Sequence, residues 1–394
     1  MNKGNLTLLF LGVAHSLNHS LFLVLPPLLS VVSRSLESSY QTLGFIMTLT
    51  FLIYGGGALI GGPLSDYLGS KNITKLSLIL SGASTLIFLL PPNIITFSAG
   101  MLVMAFWASF YHPTSNSLIS EIFPENTASA MGVHGAAGSI GQILTPTVAY
   151  FIGILVDWRL SFLLFGVLSL ITGFFMGNIL GSDSGKTSRR FTATRLKAFR
   201  RPIVLLILTY NIFIGLFFRG VDLFLPTYLN IISGLPGELA AFSSSMILLF
   251  GVLGQYIGGR ASDKHSSQKV IFVFSVGMVA SMMSILTLSN MGVSLFIVLF
   301  GLSYYGHQPA MTALLGSLTP KEASGTAFGL MFFFSFGLGS ISAAIAGYFA
   351  DVYNLKVSFV ILSVFSILTL IVSLGIIKKL KKEPFHQIKF RTGL

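Results

Sequence analysis

A few ionisable side chains lie within long apolar stretches of this sequence, and these residues could do chemistry. Arg219 and Asp222 are three residues apart in one stretch, so a helix would place them on one face. A guanidinium in an apolar environment needs a counter-charge. The pair is therefore a candidate site for an anionic ligand, with Asp222 holding the arginine or taking up a proton. A salt bridge that only closes the packing is the structural alternative.

Histidines form a second candidate group. His15 and His19 are four residues apart, on one face of a predicted helix, with Asn18 beside them. Because imidazole changes charge near neutral pH, it suits proton coupling, and His19 and Asp222 are the two proton-coupling candidates. A metal site at His15 and His19 is the weaker interpretation, since no carboxylate at ligand spacing accompanies them. We therefore predict no metal and no other cofactor.

Two prolines follow polar residues inside further apolar stretches, in His112-Pro113 and His307-Gln308-Pro309. Proline lacks an N–H and leaves a helix carbonyl without its usual partner, which a nearby polar side chain can satisfy. Contact with a substrate is the alternative for both histidines. The candidate substrate-binding residues are His15, Asn18, His19, Tyr111, His112, Gln142, Arg219, Asp222, Gln255, Tyr305 and His307.

The elements that position these residues are predicted to be transmembrane helices. The chain has 394 residues, of which 53% are hydrophobic and 9% charged, whereas soluble domains carry roughly 25% charged residues. A helix needs roughly 20 apolar residues to cross a bilayer, and barrel strands of about 10 alternating residues do not fit these blocks. Twelve spans are predicted, at 6–32, 40–61, 73–91, 95–119, 128–156, 160–181, 203–232, 239–258, 270–289, 292–318, 324–350 and 356–377.

The net charge of +12 follows membrane topology and does not indicate nucleic-acid binding. With both termini in the cytoplasm, 20 of the 24 Lys and Arg residues lie in cytoplasmic segments, which is the positive-inside pattern. We predict a multi-pass protein of the inner (plasma) membrane whose basic linker and tail contact lipid headgroups. The absence of cysteine excludes disulfides and thiolate chemistry.

A polar linker divides the chain into two halves that resemble each other. The predicted domains are 1–181, the basic linker 182–201, 202–378 and the basic tail 379–394. Three segments recur between the halves. Gly61 to Asp66 matches Gly258 to Asp263, His112 to Glu125 matches Gln308 to Lys321, and Leu23 to Leu29 matches Leu223 to Leu229. Such internal repeats are typical of transporters with a substrate site at the repeat interface.

The loop after the second span, Gly62-Pro63-Leu64-Ser65-Asp66-Tyr67-Leu68-Gly69-Ser70-Lys71, resembles the signature loop of the major facilitator superfamily. The resemblance implies twelve helices in two pseudo-symmetric six-helix bundles, alternating access and a monomer. It also implies a cytoplasmic gate, for which the candidate residues are Gly62, Asp66, Gly69, Lys71, Gly259 and Asp263. The fifth span loosely resembles a glycine-rich antiporter motif through Gly138, Gly141 and Pro146, for which close helix packing is the alternative.

A narrower resemblance joins the segments 14–19, 110–113 and 132–141 to drug exporters of the fosmidomycin-resistance type. That branch tends to carry an acid after the asparagine of the first span, where this chain has His19, so a carboxylate is not carried over to this position. The resemblance implies proton-coupled efflux of a small organic or drug-like solute, and Arg219 favours an anion. An uptake symporter or anion exchanger is the first alternative, and a non-transporting receptor or scaffold the second. No motif of an intramembrane protease or a nucleotide-driven pump occurs, so we predict no enzyme.

Overall fold

The computed structural model describes residues 3–123, 127–180, 201–287, 290–319 and 324–382, and statements about structure refer to these residues. They form helices joined by short turns, with no strand within these ranges. The predicted all-α class is confirmed. Most of the basic linker and of the C-terminal tail falls outside the described ranges.

The helices of the first half begin and end as follows: α1 Lys3–Leu23, α2 Leu25–Ser35, α3 Tyr40–Leu68, α4 Ser70–Ser84, α5 Ile94–Ala108, α6 Tyr111–Ile122, α7 Thr127–Ile152 and α8 Trp158–Leu180. A 3₁₀ turn, Thr85–Leu89, follows α4, and a π-helical turn, Gly153–Asp157, joins α7 to α8.

The helices of the second half are α9 Pro202–Ile231, α10 Gly237–Lys264, α11 Ser267–Thr287, α12 Asn290–Leu318, α13 Ser324–Phe332, α14 Ile341–Val352 and α15 Leu355–Lys382. A π-helical turn, Phe333–Gly337, and a 3₁₀ turn, Leu338–Ser340, connect α13 to α14.

Ten stretches among the described residues are long and apolar enough to cross a membrane, where the sequence predicts twelve spans. One of the ten, Ala130–Met176, has 47 residues and would extend about 70 Å as one helix, more than twice the bilayer core of about 30 Å. It covers most of α7 and most of α8. Each of these two helices is long enough to cross the bilayer by itself. Helix α12 is not among the ten, because the polar run from Tyr304 to Pro309 lowers its hydropathy. Both differences therefore have a local cause, and each of the twelve predicted spans overlaps helix among the described residues.

The contacts among the described residues divide the chain into two compact units. The first unit combines residues 1–189 with 223–245, and the second combines 190–222 with 246–394. Since residues 181–200 are not described, the predicted linker boundaries stay a prediction.

The stretch 223–245, which holds the end of α9 and the start of α10, belongs to the first unit through specific contacts. The ring of Phe224 lies perpendicular to that of Tyr40, with centroids 5.9 Å apart. The hydroxyls of Ser245 and Thr147 lie 2.9 Å apart. Helix α9 therefore contributes its first part to one unit and its last part to the other.

Small residues bring α1 and α7 into close contact. A Cβ atom added to Gly138 would collide with the His15 ring, and one added to Gly141 would collide with the Ser16 side chain. The Ser20 and Thr145 hydroxyls lie 2.7 Å apart across the same interface. Without a hydrophobic driving force in lipid, such close approach lets packing and hydrogen bonds hold helices together. The structure thus supports the packing interpretation of Gly138 and Gly141.

Glycines also bring α9 against the connection between α13 and α14. A Cβ on Gly215 would meet the Ser335 carbonyl and lie 2.8 Å from the Gly339 Cα atom. The Gly220 N–H donates to the Ser342 hydroxyl at 2.9 Å. These contacts place the π-helical turn, which widens the helix by one residue and often occurs at functional sites, directly beside the middle of α9.

Candidate functional site

Three imidazoles meet in the first unit, two from α1 and one from the start of α6. The Nε2 atom of His19 lies 3.2 Å from His15 Nε2 and 3.2 Å from His112 Nε2. The ring centroids are 5.0 Å apart for His15–His19, 5.0 Å for His19–His112 and 5.1 Å for His15–His112. The rings therefore form a nearly equilateral triangle with nitrogens pointing inward. All three side chains are partly exposed.

The orientation of His15 is fixed from the side facing away from this triangle. Its Nδ1 lies 3.1 Å from the backbone carbonyl of His134, and because a carbonyl only accepts, Nδ1 must carry the proton. The His134 ring stacks on the His15 ring at 4.4 Å with an interplanar angle of 12°. Gly138 leaves the space that the His15 ring occupies. The neutral ring therefore directs the lone pair of Nε2 toward His19.

Two of the predicted substrate-binding residues, Asn18 and Tyr111, make hydrogen bonds between helices. The Asn18 amide donates to the Ala108 carbonyl at 3.0 Å and accepts from the Tyr54 hydroxyl at 2.6 Å, fully buried. The Tyr111 hydroxyl donates to the Leu11 carbonyl at 2.6 Å and lies 3.1 Å from His134 Nε2. The hydrogen bonds of Asn18 and Tyr111 are therefore internal to the helix packing.

The second polar site is the Arg219–Asp222 pair on α9, within the second unit. One guanidinium nitrogen of Arg219 lies 3.8 Å from a carboxylate oxygen of Asp222, and the two side chains are 8% and 25% exposed. This separation is longer than a hydrogen bond. Asp222 is also followed, four residues later, by Pro226, which has no N–H for the Asp222 carbonyl.

Aromatic rings surround the Arg219 guanidinium. Its central carbon lies 4.0 Å from the centroid of Phe336, on the π-helical turn, and 5.0 Å from that of Phe218. Both distances fall within the range of cation–π attraction. Phe218 is in turn stacked on the buried Tyr304 ring of α12 at 3.7 Å. Two rings therefore contact the guanidinium, and a third ring packs against one of them.

A surface ion pair elsewhere in the chain gives a useful contrast. Arg159 donates two hydrogen bonds to the Asp157 carboxylate, from Nε at 3.0 Å and from a terminal nitrogen at 2.6 Å, and both side chains are 29% exposed. That pair has the bidentate geometry of a closed salt bridge. The more buried Arg219–Asp222 pair lacks it, so the two charges attract each other without being locked together.

The other predicted substrate-binding residues each contact different neighbours. His307 is buried and its Nδ1 contacts the carbonyl of Tyr304, whereas the carbonyl that Pro309 leaves without an N–H is that of Tyr305. Gln142 donates to the Gly138 carbonyl of its own helix at 2.9 Å. Gln255 approaches Gln308 at 3.5 Å. Tyr305 is partly exposed, and its ring is perpendicular to that of Tyr304 at 5.0 Å.

The signature loop is described only in part. Gly69, between α3 and α4, has a φ of 90°, a conformation that favours glycine. The next residue, Ser70, donates to Glu121 at the end of α6 at 2.9 Å. Lys71 is partly exposed and Asp263 exposed.

The surroundings of Gly62 and of the Asp66 side chain lie outside the described part of the chain. Gly259 packs near Pro309, with room for a Cβ atom. The gate roles of Gly62, Asp66, Gly69, Lys71, Gly259 and Asp263 stay predictions.

Sequence reasoning missed the partners that complete both sites. Phe218 and Phe336 are two of 36 phenylalanines, and nothing in their spacing distinguishes them. The His134 carbonyl that orients His15 belongs to the backbone, which no side-chain pattern reveals. The His112-Pro113 pair marked His112 as a candidate residue. It did not indicate that His112 lies close to His19.

These features define a polytopic membrane protein with polar sites inside its helical units. Residues 8–344 match the family model described as Major Facilitator Superfamily, and the chain belongs to this superfamily. It is 23% identical over 360 residues to a glycerol-3-phosphate transporter of Bacillus subtilis (strain 168), with 82% of this chain and 81% of that protein covered.

One further sequence relative and one solved structure are also similar to this chain. The chain is 25% identical over 324 residues to a multi-drug resistance efflux pump PmrA homolog of Lactococcus lactis subsp. lactis (strain IL1403), covering 77% of this chain and 78% of the relative. Its fold is similar to that of a bacterial homolog of the human lysosomal transporter Spinster in an inward-facing, unoccupied conformation. The TM-score is 0.81 at 15% identity, with both chains fully covered.

Proposed function

We propose that this chain is a secondary active transporter that carries a small organic anion across the membrane by alternating access, with Arg219 binding the anionic group. The observation that carries the proposal is the arginine itself, which is 8% exposed, lies within a membrane span and is 3.8 Å from the carboxylate of Asp222. Buried intramembrane charges mark substrate or ion pathways by default.

The surroundings of Arg219 suit an anion that also has apolar surface. Contact with the rings of Phe218 and Phe336 does not consume the N–H donors of the guanidinium, which lie in its plane. A carboxylate or phosphate can accept two of those donors in parallel, while the rings pack against the rest of the solute. The printed name of the Bacillus relative, a glycerol-3-phosphate transporter, is consistent with an anionic substrate.

Asp222 is the candidate for coupling to protons. Its carboxylate lies 3.8 Å from the guanidinium of Arg219 on its own helix, and its charge acts on Tyr304 and Tyr305 of α12. An ionised Asp222 competes with a substrate anion for the guanidinium, whereas a protonated Asp222 does not. Proton and anion binding therefore favour each other, which supports symport through this site. His19 is the other candidate for proton coupling. Its Nε2 atom is directed at the imidazoles of His15 and His112.

Proton-coupled efflux of a drug-like solute is the second candidate function. It is supported by the resemblance of residues 14–19, 110–113 and 132–141 to drug exporters of the fosmidomycin-resistance type, and by a relative named as a multi-drug efflux pump. The assignment to that branch is part of this proposal. An anion exchanger differs from both because it needs substrate on both sides of the membrane.

The proposal includes the cellular setting. A place in the cytoplasmic membrane with both termini in the cytoplasm accounts for the distribution of Lys and Arg, and a monomer is proposed from the resemblance to the superfamily. A carrier also requires no catalytic residues. A receptor or scaffold on the same fold would bind solute without moving it, so transport assays separate the two.

Thermal unfolding of the purified full chain with matched pairs of ligands tests the binding claim. Glycerol 3-phosphate and benzoate are compared with their neutral counterparts glycerol and benzyl alcohol, since a ligand that binds the folded state raises the unfolding temperature. We expect stabilisation by at least one anion and by neither neutral compound, and its loss in Arg219→Gln. Arg260→Gln is the control, because Arg260 also contacts a ring, Tyr256 at 4.6 Å, but is exposed. Equal stabilisation of wild type and Arg219→Gln would refute the proposed site.

A further inference from the structure

We infer that His15, His19 and His112 form a binding site for one divalent late first-row transition-metal ion, with Zn²⁺ as the reference case. One potential ligand nitrogen from each residue lies within 4.8 Å of the other two. Imidazole is a preferred ligand for Zn, Cu, Ni and Fe, whereas Mg²⁺ and Ca²⁺ require oxygen ligands. The inference does not rest on the proposed anion transport, because Arg219 belongs to the other compact unit.

The spacing of the nitrogens fits a tetrahedral ion. With Zn–N bonds of about 2.05 Å and tetrahedral angles, two ligand nitrogens are about 3.3 Å apart. The two contacts of His19 Nε2, with His15 and with His112, are both 3.2 Å. The same geometry places the ring centroids about 5 Å apart, and the three observed centroid distances run from 5.0 to 5.1 Å.

The tautomer of His15 restricts the hydrogen bonds within the triangle. Since His15 Nδ1 donates to the His134 carbonyl, the neutral ring has a bare lone pair at Nε2. His19 Nε2 faces that lone pair and also faces His112 Nε2. It carries one hydrogen or one lone pair, so it can donate to one neighbour but cannot also accept from the other. A cation that accepts one lone pair from each ring accounts for the close approach of His19 Nε2 to both neighbours.

The surroundings of His15 match those of a metal ligand. Metal-bound histidines usually donate their second ring N–H to a carbonyl or carboxylate, which fixes the tautomer and the ring orientation. His15 makes this bond to His134, whose ring also stacks on it. Gly138 leaves room for the His15 ring against α7. The ligand is therefore oriented before any ion arrives.

The site has three protein ligands and is not fully buried. Sites with three protein ligands keep a fourth position for water or another small ligand, whereas structural zinc sites are closed by four. All three imidazoles are partly exposed, so an ion and its fourth ligand can reach them. The spacing of His15 and His19 gave two ligands, and the fold adds the third from 93 residues away.

Equilibrium dialysis of the full chain against ZnCl₂, after removal of any affinity tag and of metal with EDTA, tests the inference. We expect one Zn²⁺ per wild-type chain. Loss of an outer-shell partner alone costs about 10- to 100-fold in metal affinity, so His19→Gln and His112→Gln should each weaken binding by about 100-fold or more. His265→Gln is the matched control, because His265 is exposed and lies outside the triangle.

Co²⁺ supplies an independent readout, since a tetrahedral Co²⁺ ion has strong visible absorption that octahedral aqueous Co²⁺ lacks. The absorption should appear with wild type and His265→Gln and be missing with His19→Gln and His112→Gln. Absence of stoichiometric binding to wild type, or full retention in either triangle variant, would overturn the site. A variant that aggregates on gel filtration is replaced by His15→Gln, the third ligand.

Discussion

Replacement of Arg219 gives the sharpest prediction for anion binding. A hydrogen bond to a charged group contributes about 1.5–3 kcal/mol, so Arg219→Gln should weaken anion binding by about 10- to 150-fold. The electrostatic attraction between Arg219 and Asp222 is a second energy that the substitution removes. At 3.8 Å and an effective dielectric constant of about 20, the attraction is about 4 kcal/mol. The variant therefore also leaves Asp222 without its counter-charge, which opposes the approach of an anion.

Arg219→Lys separates charge from geometry. Lysine retains the positive charge but lacks the planar fork that binds a carboxylate or phosphate with two parallel bonds. We expect affinity between those of wild type and Arg219→Gln, about tenfold below wild type if one of two charge-assisted bonds is lost. A variant that binds as tightly as wild type would show that only the charge matters and that the aromatic surroundings do not orient the guanidinium.

The assay is titration of purified protein with the anion that gives the largest thermal shift, followed by isothermal calorimetry. The neutral counterpart is titrated in parallel and should show no saturable heat. Arg260→Gln, which removes an exposed arginine beside Tyr256, should bind like wild type. The reasoning is refuted if Arg219→Gln binds within threefold of wild type while Arg260→Gln does the same.

Three further predictions concern neighbouring parts of the structure. Asp222→Asn should make anion affinity independent of pH and hold it at the value that wild type reaches at low pH, because the competing negative charge is removed; an unchanged pH dependence in calorimetry would exclude Asp222 as the coupling group. Tyr54→Phe should lower the free energy of unfolding by about 1–3 kcal/mol in denaturant titrations, since it leaves the buried Asn18 oxygen without its 2.6 Å donor, and anion affinity should not change. Gly69→Ala should cost about 1–3 kcal/mol because φ is 90°, whereas Gly132→Ala, with open space around the new Cβ, should not lower the unfolding temperature; equal effects of the two would contradict the strain argument.

The helices and the local pairs could be predicted from the sequence because they depend on short-range periodicity. Apolar blocks of about 20 residues are helical in lipid, since every backbone group needs a partner. Spacings of three and four residues place Arg219 near Asp222 and His15 near His19, and both pairs are in contact in the structure. Helical periodicity alone decides these contacts.

The long-range partners could not be predicted because they depend on how helices pack. His112 joins His15 and His19 from a different helix, and Phe336 reaches Arg219 through a π-helical turn. A single extra residue in such a turn rotates the side chains that follow it, which hydrophobic patterning does not record. The same holds for the hydrogen-bond partners of Asn18, which are Ala108 on α5 and Tyr54 on α3.

Anion-driven proton movement in proteoliposomes tests the central claim most directly. Vesicles containing the purified chain and a trapped pH-sensitive dye receive an inward gradient of the anion identified by binding. We predict acidification of the lumen with wild type and with Arg260→Gln, and none with Arg219→Gln. Alkalinisation would instead support exchange of the solute for protons. Absence of any anion-dependent signal with wild type, or an equal signal with Arg219→Gln, would contradict anion transport through Arg219.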